Sequence, residues 1–200
     1  MSARTVPAPS PPAGARPLRL TVDQFNHMGD MGWFEGRRPY LLDGVILEQG
    51  PMNSPHATGI LLVTDALRAV FAGGWVIRSQ MPLRVDEFND PFPDFAVVSG
   101  GPRDYAKAHP TTAALVVEVS DTTLREDLTD KAERYAASGI PEYWVLDLNA
   151  RELYVLRDPA QLPAGLGAAA YRRHQTLGAA DTVSPLAAPA ASVRVADLLP

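Results

Sequence analysis

Asp94, Glu118 and Lys131 have the types and spacing of a hydrolytic centre. Asp94 opens the apolar run Phe95-Ala96-Val97-Val98, and Glu118 stands near the end of a second run, Leu115-Val116-Val117-Glu118-Val119. Acids at the ends of two buried strands can meet on one side of a sheet, where they suit a hard divalent cation. Mg²⁺ sits about 2.1 Å from one or two carboxylates and keeps waters and substrate phosphate oxygens as its other ligands. The backbone carbonyl of Val119 would complete such a site. A bound Mg²⁺ or Mn²⁺ polarises a scissile phosphate and lowers the pKa of an attacking water. Lys131 is one of two lysines among 18 basic residues. Arginine stays protonated in any protein, whereas an ammonium on a partly buried stem can lower its pKa and act on water. Lys131 would orient that water or stabilise charge building on phosphorus. Each residue also has a plainer account: acids at strand ends cap loops, and an inward lysine lies along apolar surface while pairing with Asp127 one turn back. The combination points to chemistry.

These side chains need elements to hold them. A Thr123-x-x-Glu126 capping box predicts a helix start, and at about 100° per residue Leu124, Leu128, Lys131 and Tyr135 fall within roughly one sixth of a turn of one another. That helix runs to Ser138 and stops at Gly139, with Pro141 just beyond. Tyr143–Asp147 and Glu152–Leu156 read as the next strands, joined by an Asn149-Ala150 turn. The strand, helix, strand order around Lys131 predicts a crossover unit. Upstream, Thr21-x-x-Gln24 starts a short helix ending near Gly29, and Asp43-Gly44 turns a hairpin between Tyr40–Leu42 and Val45–Leu47. A longer helix covers roughly Pro55–Phe71, with Ile60, Val63, Leu67 and Val70 at helical spacing. Trp75–Arg78 and Leu83–Val85 read as strands, Asp86–Pro93 and Asp158–Ala170 as loops, and Tyr171–Thr176 and Ser192–Val195 as edge strands.

Two hundred residues with 46% hydrophobic content make one sizeable core. Residues 18–200 read as one domain. Residues 1–17, with five prolines among Ala, Ser and Gly, read as a disordered tail. No apolar run is long enough for a membrane span or a secretory signal, and there is no cysteine, so a cytoplasmic protein without membrane association is expected. A net charge of −5 excludes global attraction as the means of holding a polyanion; a local cleft or a bound cation would have to do it.

The segments Pro93-Asp94-Phe95-Ala96-Val97-Val98, Leu115 to Thr123, Asp127-x-x-x-Lys131-x-x-x-Tyr135 and Gly139-Ile140-Pro141-Glu142-Tyr143-Trp144-Val145-Leu146-Asp147 together resemble the Uma-type restriction-endonuclease-like family, similar to a variant branch of the PD-(D/E)XK nucleases. The resemblance spans roughly Leu18 to the C-terminus and is strongest from Pro93 to Asp147. It implies an α/β core of mixed α+β character, a central mixed sheet flanked by helices with an N-terminal helix and hairpin, and a divalent-metal site. The motif aspartate falls on Asp94, the glutamate on Glu118, and the lysine, moved in this branch to the following helix, on Lys131. The usual lysine position is Ser120, so activity depends on Lys131, with Asp127 holding its ammonium. The family often has a glutamate before the hairpin turn, where this chain reads Tyr40-Leu41-Leu42-Asp43-Gly44. Glu48 on the returning strand is the candidate substitute, and Asp43 is read as turn chemistry. His56, where the family tends to have a histidine, is read as a capping or packing residue or a catalytic one, and Gln80 as a contact to the metal-bound water or substrate.

The resulting expectation is a divalent-metal-dependent nuclease acting on DNA. The competing reading is a catalytically weak or inactive nuclease-fold module for binding or assembly, with a homodimer formed through exposed strands and aromatics. A third is a hydrolase of small phosphorylated compounds. His27, His109 and His174 are too scattered for a metal cluster, Ser120 and Ser138 lack a nucleophile-elbow motif, and Trp33, Trp75 and Trp144 read as core or interface aromatics.

Overall fold

Runs of Val, Leu and aromatic residues too short for helices build the centre of the molecule. In the computed structural model, which describes residues 14–200, six strands form one sheet: β3 (Trp75–Ser79), β4 (Phe95–Ser99), β5 (Leu115–Ser120), β6 (Glu142–Asp147), β7 (Glu152–Gln161) and β8 (Ala169–Gly178), neighbours in that order. β5 and β6 are parallel, and the other neighbouring pairs are antiparallel. A parallel pair needs a crossover. The helical segment 124–137 supplies it, as the sequence order predicts.

Because side chains alternate across a strand, each central strand feeds two cores. Phe95, Val97, Leu115, Val117, Val119, Trp144 and Leu146 meet Val63 and Leu67 of α2 (Ser54–Val70) on one face. On the other face Ala96, Val98, Val116, Tyr143 and Val145 meet Ala132, Tyr135 and Ala136 of α4 (Ala132–Ala137). Each fully buried Val, Leu or Phe among them stabilises the fold by about 1.5–3 kcal/mol. Glu118, between Val117 and Val119, must therefore point to the α4 face. The Phe95↔Val117 pairing sets Asp94 at the same end of the sheet.

The crossover is not one regular helix. A single turn, α3 (Leu124–Glu126), leads into a π-helical turn, Asp127–Lys131, and then α4. The expected capping box at Thr123 does not form: the Thr123 hydroxyl donates to Asp127 Oδ2 at 2.7 Å. Buried Asp127 takes that hydroxyl from the backbone amide it would otherwise cap. Gly139 closes the helix with φ 74°, in the left-handed region open to glycine.

The N-terminal helix α1 (Val22–Asp30) keeps its Thr21/Gln24 capping box, and β1 (Pro39–Leu42) and β2 (Val45–Glu48) form the predicted hairpin. Three bonds stitch the hairpin to the loop before β4: Asp90 N to Leu41 O at 2.9 Å, Gly44 N to Phe88 O at 2.9 Å, and Asp43 N to Asn89 Oδ1 at 2.8 Å. These contacts explain one correction. Leu83–Val85 is not a strand; it is extended backbone whose amides bond Pro91, Pro110 and Asn89 carbonyls rather than a sheet partner. A second correction concerns 158–170. Its two ends continue β7 and begin β8, paired Pro159↔Tyr171 to Gln161↔Ala169, so the loop is confined to 162–168. Backbone pairing overrides the weak strand propensity of Ala and Pro there. β8 lies at one edge of the sheet, and β10 (Val193–Arg194) pairs with β9 (Thr182–Val183) in a separate ribbon. The tail expected over 1–17 lies outside the described residues for 1–13. Among the described residues, no helix is long and apolar enough to cross a membrane.

Asp90 carries an energetic cost within this stitching. Its side chain is 2% exposed and Oδ1 has no hydrogen-bond partner. Burial pushes its carboxyl up to about 6, against the attraction of Arg84 and Arg78. A carboxyl raised above its unfolded value is favoured by the fold in its neutral form, so the contribution of Asp90 to stability is fullest below about pH 4 and is lost as pH rises to about 6. We expect Asp90→Asn to remove that loss, gaining up to about 3 kcal/mol over the parent at pH 8 and little at pH 3.5. Urea unfolding at both values checks this; a gain independent of pH would refute it.

Candidate active site

Asp94 and Glu118 are tied to each other's strands. Asp94 Oδ2 accepts the amide of Val119 at 2.9 Å, and the amide of Asp94 donates to Glu118 Oε2 at 3.4 Å. The other Asp94 oxygen, Oδ1, faces His56 Nε2 at 3.2 Å and accepts from Gln80 Nε2 at 3.3 Å. His56 arrives from the first turn of α2, where Asn53 caps its amide at 3.0 Å. The hydrogen bond to Asp94 raises the imidazole pKa, outweighing burial. Gln80 has φ 51°, a conformation that costs a non-glycine residue energy and persists when its surroundings enforce it. Its amide is held by the carbonyls of Pro93 and Asp94 at 3.2 and 3.1 Å, which aims the side chain at the acid.

On the α4 face, Glu118 is clamped from both oxygens. Tyr135 donates its hydroxyl to Oε1 at 3.0 Å, and Lys131 Nζ lies 3.2 Å from Oε2. The same ammonium lies 2.7 Å from Asp127 Oδ1. Asp127 is held in turn by the Thr123 hydroxyl, and its carbonyl accepts from Tyr143 at 2.9 Å. Burial pushes Glu118 up to about 8, against the attraction of Lys131. For Lys131, burial favours the neutral amine, but Glu118 and Asp127 outweigh it and hold the group well above its ordinary value. Burial alone would ease loss of the lysine's proton, and the two acids reverse that direction. Gripped by Asp127 at 2.7 Å and Glu118 at 3.2 Å, the ammonium is placed to position groups and to stabilise negative charge.

Asp94, Glu118, Lys131, His56 and Gln80 all line one cavity of about 330 Å³. Asp127 lies behind it, gripping Lys131. Glu48 is the residue the fold does not bring in: it is exposed and lies 3.9 Å from Arg37. Tyr40 and Leu42 are the hairpin residues facing the cavity, because the alternation that turns them inward leaves Glu48 in solvent. Asp43 is a turn residue with φ 50° and pairs with Arg134 at 2.9 Å. His109 bonds Arg78 at 3.0 Å and His174 the Tyr171 carbonyl at 2.7 Å, both away from the cavity. Ser120, at the usual lysine position, is buried with no partner for its hydroxyl. Trp144 is core and Trp75 packs on Phe71, but Trp33 is 65% exposed.

Sequence reasoning missed the part played by Tyr135. Its signal was present, since Asp127, Lys131 and Tyr135 repeat at the spacing of one helical turn. Asn53 and Asp121, which bond each other at the cavity mouth, carried no such pattern. The donor set is oxygen-rich: two carboxylates and an amide, with one imidazole. It suits Mg²⁺ or Mn²⁺ better than softer metals. Among the described residues no three His, Asp or Glu side chains converge as a ready metal cluster. Backbone, water or substrate oxygens would have to complete a shell, the usual way Mg²⁺ is held.

A mixed sheet with one parallel crossover and acids at one end defines a restriction-endonuclease-like fold. The chain matches the Uma2 family, described as "Putative restriction endonuclease", over residues 22–196, and belongs to that family. A crystal structure of a "putative nuclease belonging to DUF820" from Anabaena variabilis is similar, with a TM-score of 0.66 and 13% identity, covering 90% of this chain and 97% of that one. At that identity the likeness is one of fold. No curated protein matches the chain.

Removing the ammonium leaves two buried acids facing each other. We expect Lys131→Met to destabilise the fold by about 3–5 kcal/mol, and the double substitution Lys131→Met with Asp127→Asn to recover much of that loss. Thermal and urea unfolding test this; equal stability of Lys131→Met and the parent would show that the lysine does not compensate the acids.

Proposed function

We propose that the protein is a divalent-metal-dependent nuclease that hydrolyses DNA phosphodiester bonds. The observation that carries this reading is the convergence of Asp94, Glu118 and Lys131 on one cavity, with Nζ 3.2 Å from Glu118 Oε2. Asp94, Glu118 and the carbonyl of Val119 would hold Mg²⁺ or Mn²⁺. When bound, the cation supplies Lewis-acid polarisation of the phosphate and acidifies a water. The chain's own residues do the rest. Lys131 is a fixed positive charge beside the reacting phosphate, where preorganised donors count most in a site shielded from solvent. Asp127 and Tyr135 fix the lysine and Glu118 so that neither reorganises during the reaction, while His56 and Gln80 set the orientation of Asp94.

The second reading, a weakly active or inactive module that binds without turnover, is favoured by Glu48: its carboxylate points to solvent beside Arg37, and the hairpin offers the cavity Tyr40 and Leu42 instead of an acid.

We expect Mg²⁺ or Mn²⁺ to support plasmid cleavage that EDTA stops, and the double substitution Lys131→Met with Asp127→Asn, which balances the buried charge, to slow it by roughly 10²–10³-fold. Undiminished cutting by that variant would refute the assignment. Under the module reading, calorimetry would show no Mn²⁺ site lost in Asp94→Ala and no cleavage by the parent.

A further inference from the structure

Tyr40 and Phe92 stand at the cavity with no structural task assigned to them. Both are half-buried and line the site, and neither belongs to any of the three apolar cores. Their rings touch, with centroids 6.0 Å apart and planes tilted by 38°. Among the described residues the Tyr40 hydroxyl has no hydrogen-bond partner and is not a buried unpaired group, so it is open to water or to a bound molecule. The backbone around them is firmly placed. Leu41 and Asp90 form a bridge, and Asp43 and Gly44 bond Asn89 and Phe88, so the two rings come from segments stitched together across some fifty residues of chain. Together with Leu42 and Met52 they give the cavity an apolar wall beside its acidic end.

The cations near the cavity are mostly engaged internally. Lys131 is held by Glu118 and Asp127, and Arg134 by Asp43, while Arg38 lies at the edge with its guanidinium 3.4 Å from the Gln80 carbonyl. Asp94, Glu118 and Asp121 line the same space. Such a mouth lacks the charge to neutralise the phosphates of two strands, and the chain's net charge of −5 provides no long-range attraction. A volume of about 330 Å³ is at the small end of ligand pockets, which span about 300–1,000 Å³, and matches a single nucleotide in size.

We infer that the cavity receives a single unpaired nucleotide whose base stacks on the Tyr40–Phe92 wall, so that single-stranded or locally opened DNA, and not continuous duplex, is the substrate class. This rests on the nuclease reading above and specifies its substrate. Stacking on an aromatic face tolerates any base and contributes about 1–3 kcal/mol per base, which supplies the short-range attraction that charge does not. Unpairing costs least where the base is already single, mismatched or bulged. Weak salt dependence follows as well, since few counterions are released.

Fluorescence anisotropy with a labelled single-stranded oligonucleotide, its perfect duplex and a duplex carrying one bulged base tests this, in Ca²⁺ and again in EDTA. The single strand and the bulged duplex should bind at least roughly tenfold more tightly than the perfect duplex, with a shallow dependence on salt. Phe92→Leu and Tyr40→Leu should each weaken single-strand binding by roughly tenfold, while Phe92→Tyr, which keeps a ring, restores it; circular dichroism confirms that each variant is folded. Equal affinity for perfect duplex, or single-strand binding indifferent to Phe92→Leu, would overturn the inference. Ring-dependent single-strand binding in EDTA without cleavage under any metal would uphold the stacking of an unpaired base on this wall while refuting the nuclease reading that makes the strand a substrate.

Discussion

The ammonium of Lys131 between Glu118 and Asp127 is the interaction on which the rest of the structure depends. Glu118 sits in the middle of an apolar strand, and Asp127 is buried under α4. Two carboxylates so placed repel each other and lack water, and burying them without a cation would cost several kcal/mol. One positive charge, 3.2 Å from the first and 2.7 Å from the second, makes the arrangement tolerable. The hydroxyls of Tyr135 and Thr123 fill the remaining acceptor positions. The same feature that stabilises the interior thus places an acid and a cation at the wall of a cavity.

The sheet brings the second acid to this cluster. Asp94 immediately precedes β4, which is antiparallel to β5, and its contact with Val119 spans the place where β4 begins and β5 runs on. The first turn of α2 adds His56, and the strained turn after β3 adds Gln80. With the crossover that carries Lys131 and Tyr135, five separate parts of the chain therefore meet at one carboxylate pair. No one of these segments would hold its side chain in place alone; Gln80 in particular keeps an unfavourable backbone conformation because the Pro93 and Asp94 carbonyls grip its amide.

Much of this was legible in the sequence. Continuous apolar runs around Asp94 and Glu118 gave the central strands, and helical spacing of Leu124, Leu128, Lys131 and Tyr135 turned the lysine inward. What escaped were properties set by partners distant in the chain. The protonation of Lys131 depends on two acids whose separation no spacing reveals, and burial alone suggested the opposite direction. Thr123 was read from a local capping pattern, but a tertiary contact to Asp127 took its hydroxyl. Leu83–Val85 had strand composition yet found loop carbonyls instead of a neighbouring strand, and Pro159 lies in a paired strand that composition disfavours. Glu48 shows the limit of alternation: period two says which residues share a face but not which face a hairpin turns inward.

The wide turn at Asp127–Lys131 also bears on how this centre can change over time. Turns of this kind hold one residue more than a regular helix would, and they gather at functional sites. Deleting a residue between Asp127 and Lys131 would let the segment wind evenly and leave the turns on either side in place, yet it would bring the pair from four residues apart to three. The ammonium would then have to reach the acid from a different angle. A smoother helix would thus come at the expense of the present geometry, and the wide winding is the form that holds Asp127, Lys131 and Tyr135 where Glu118 meets them.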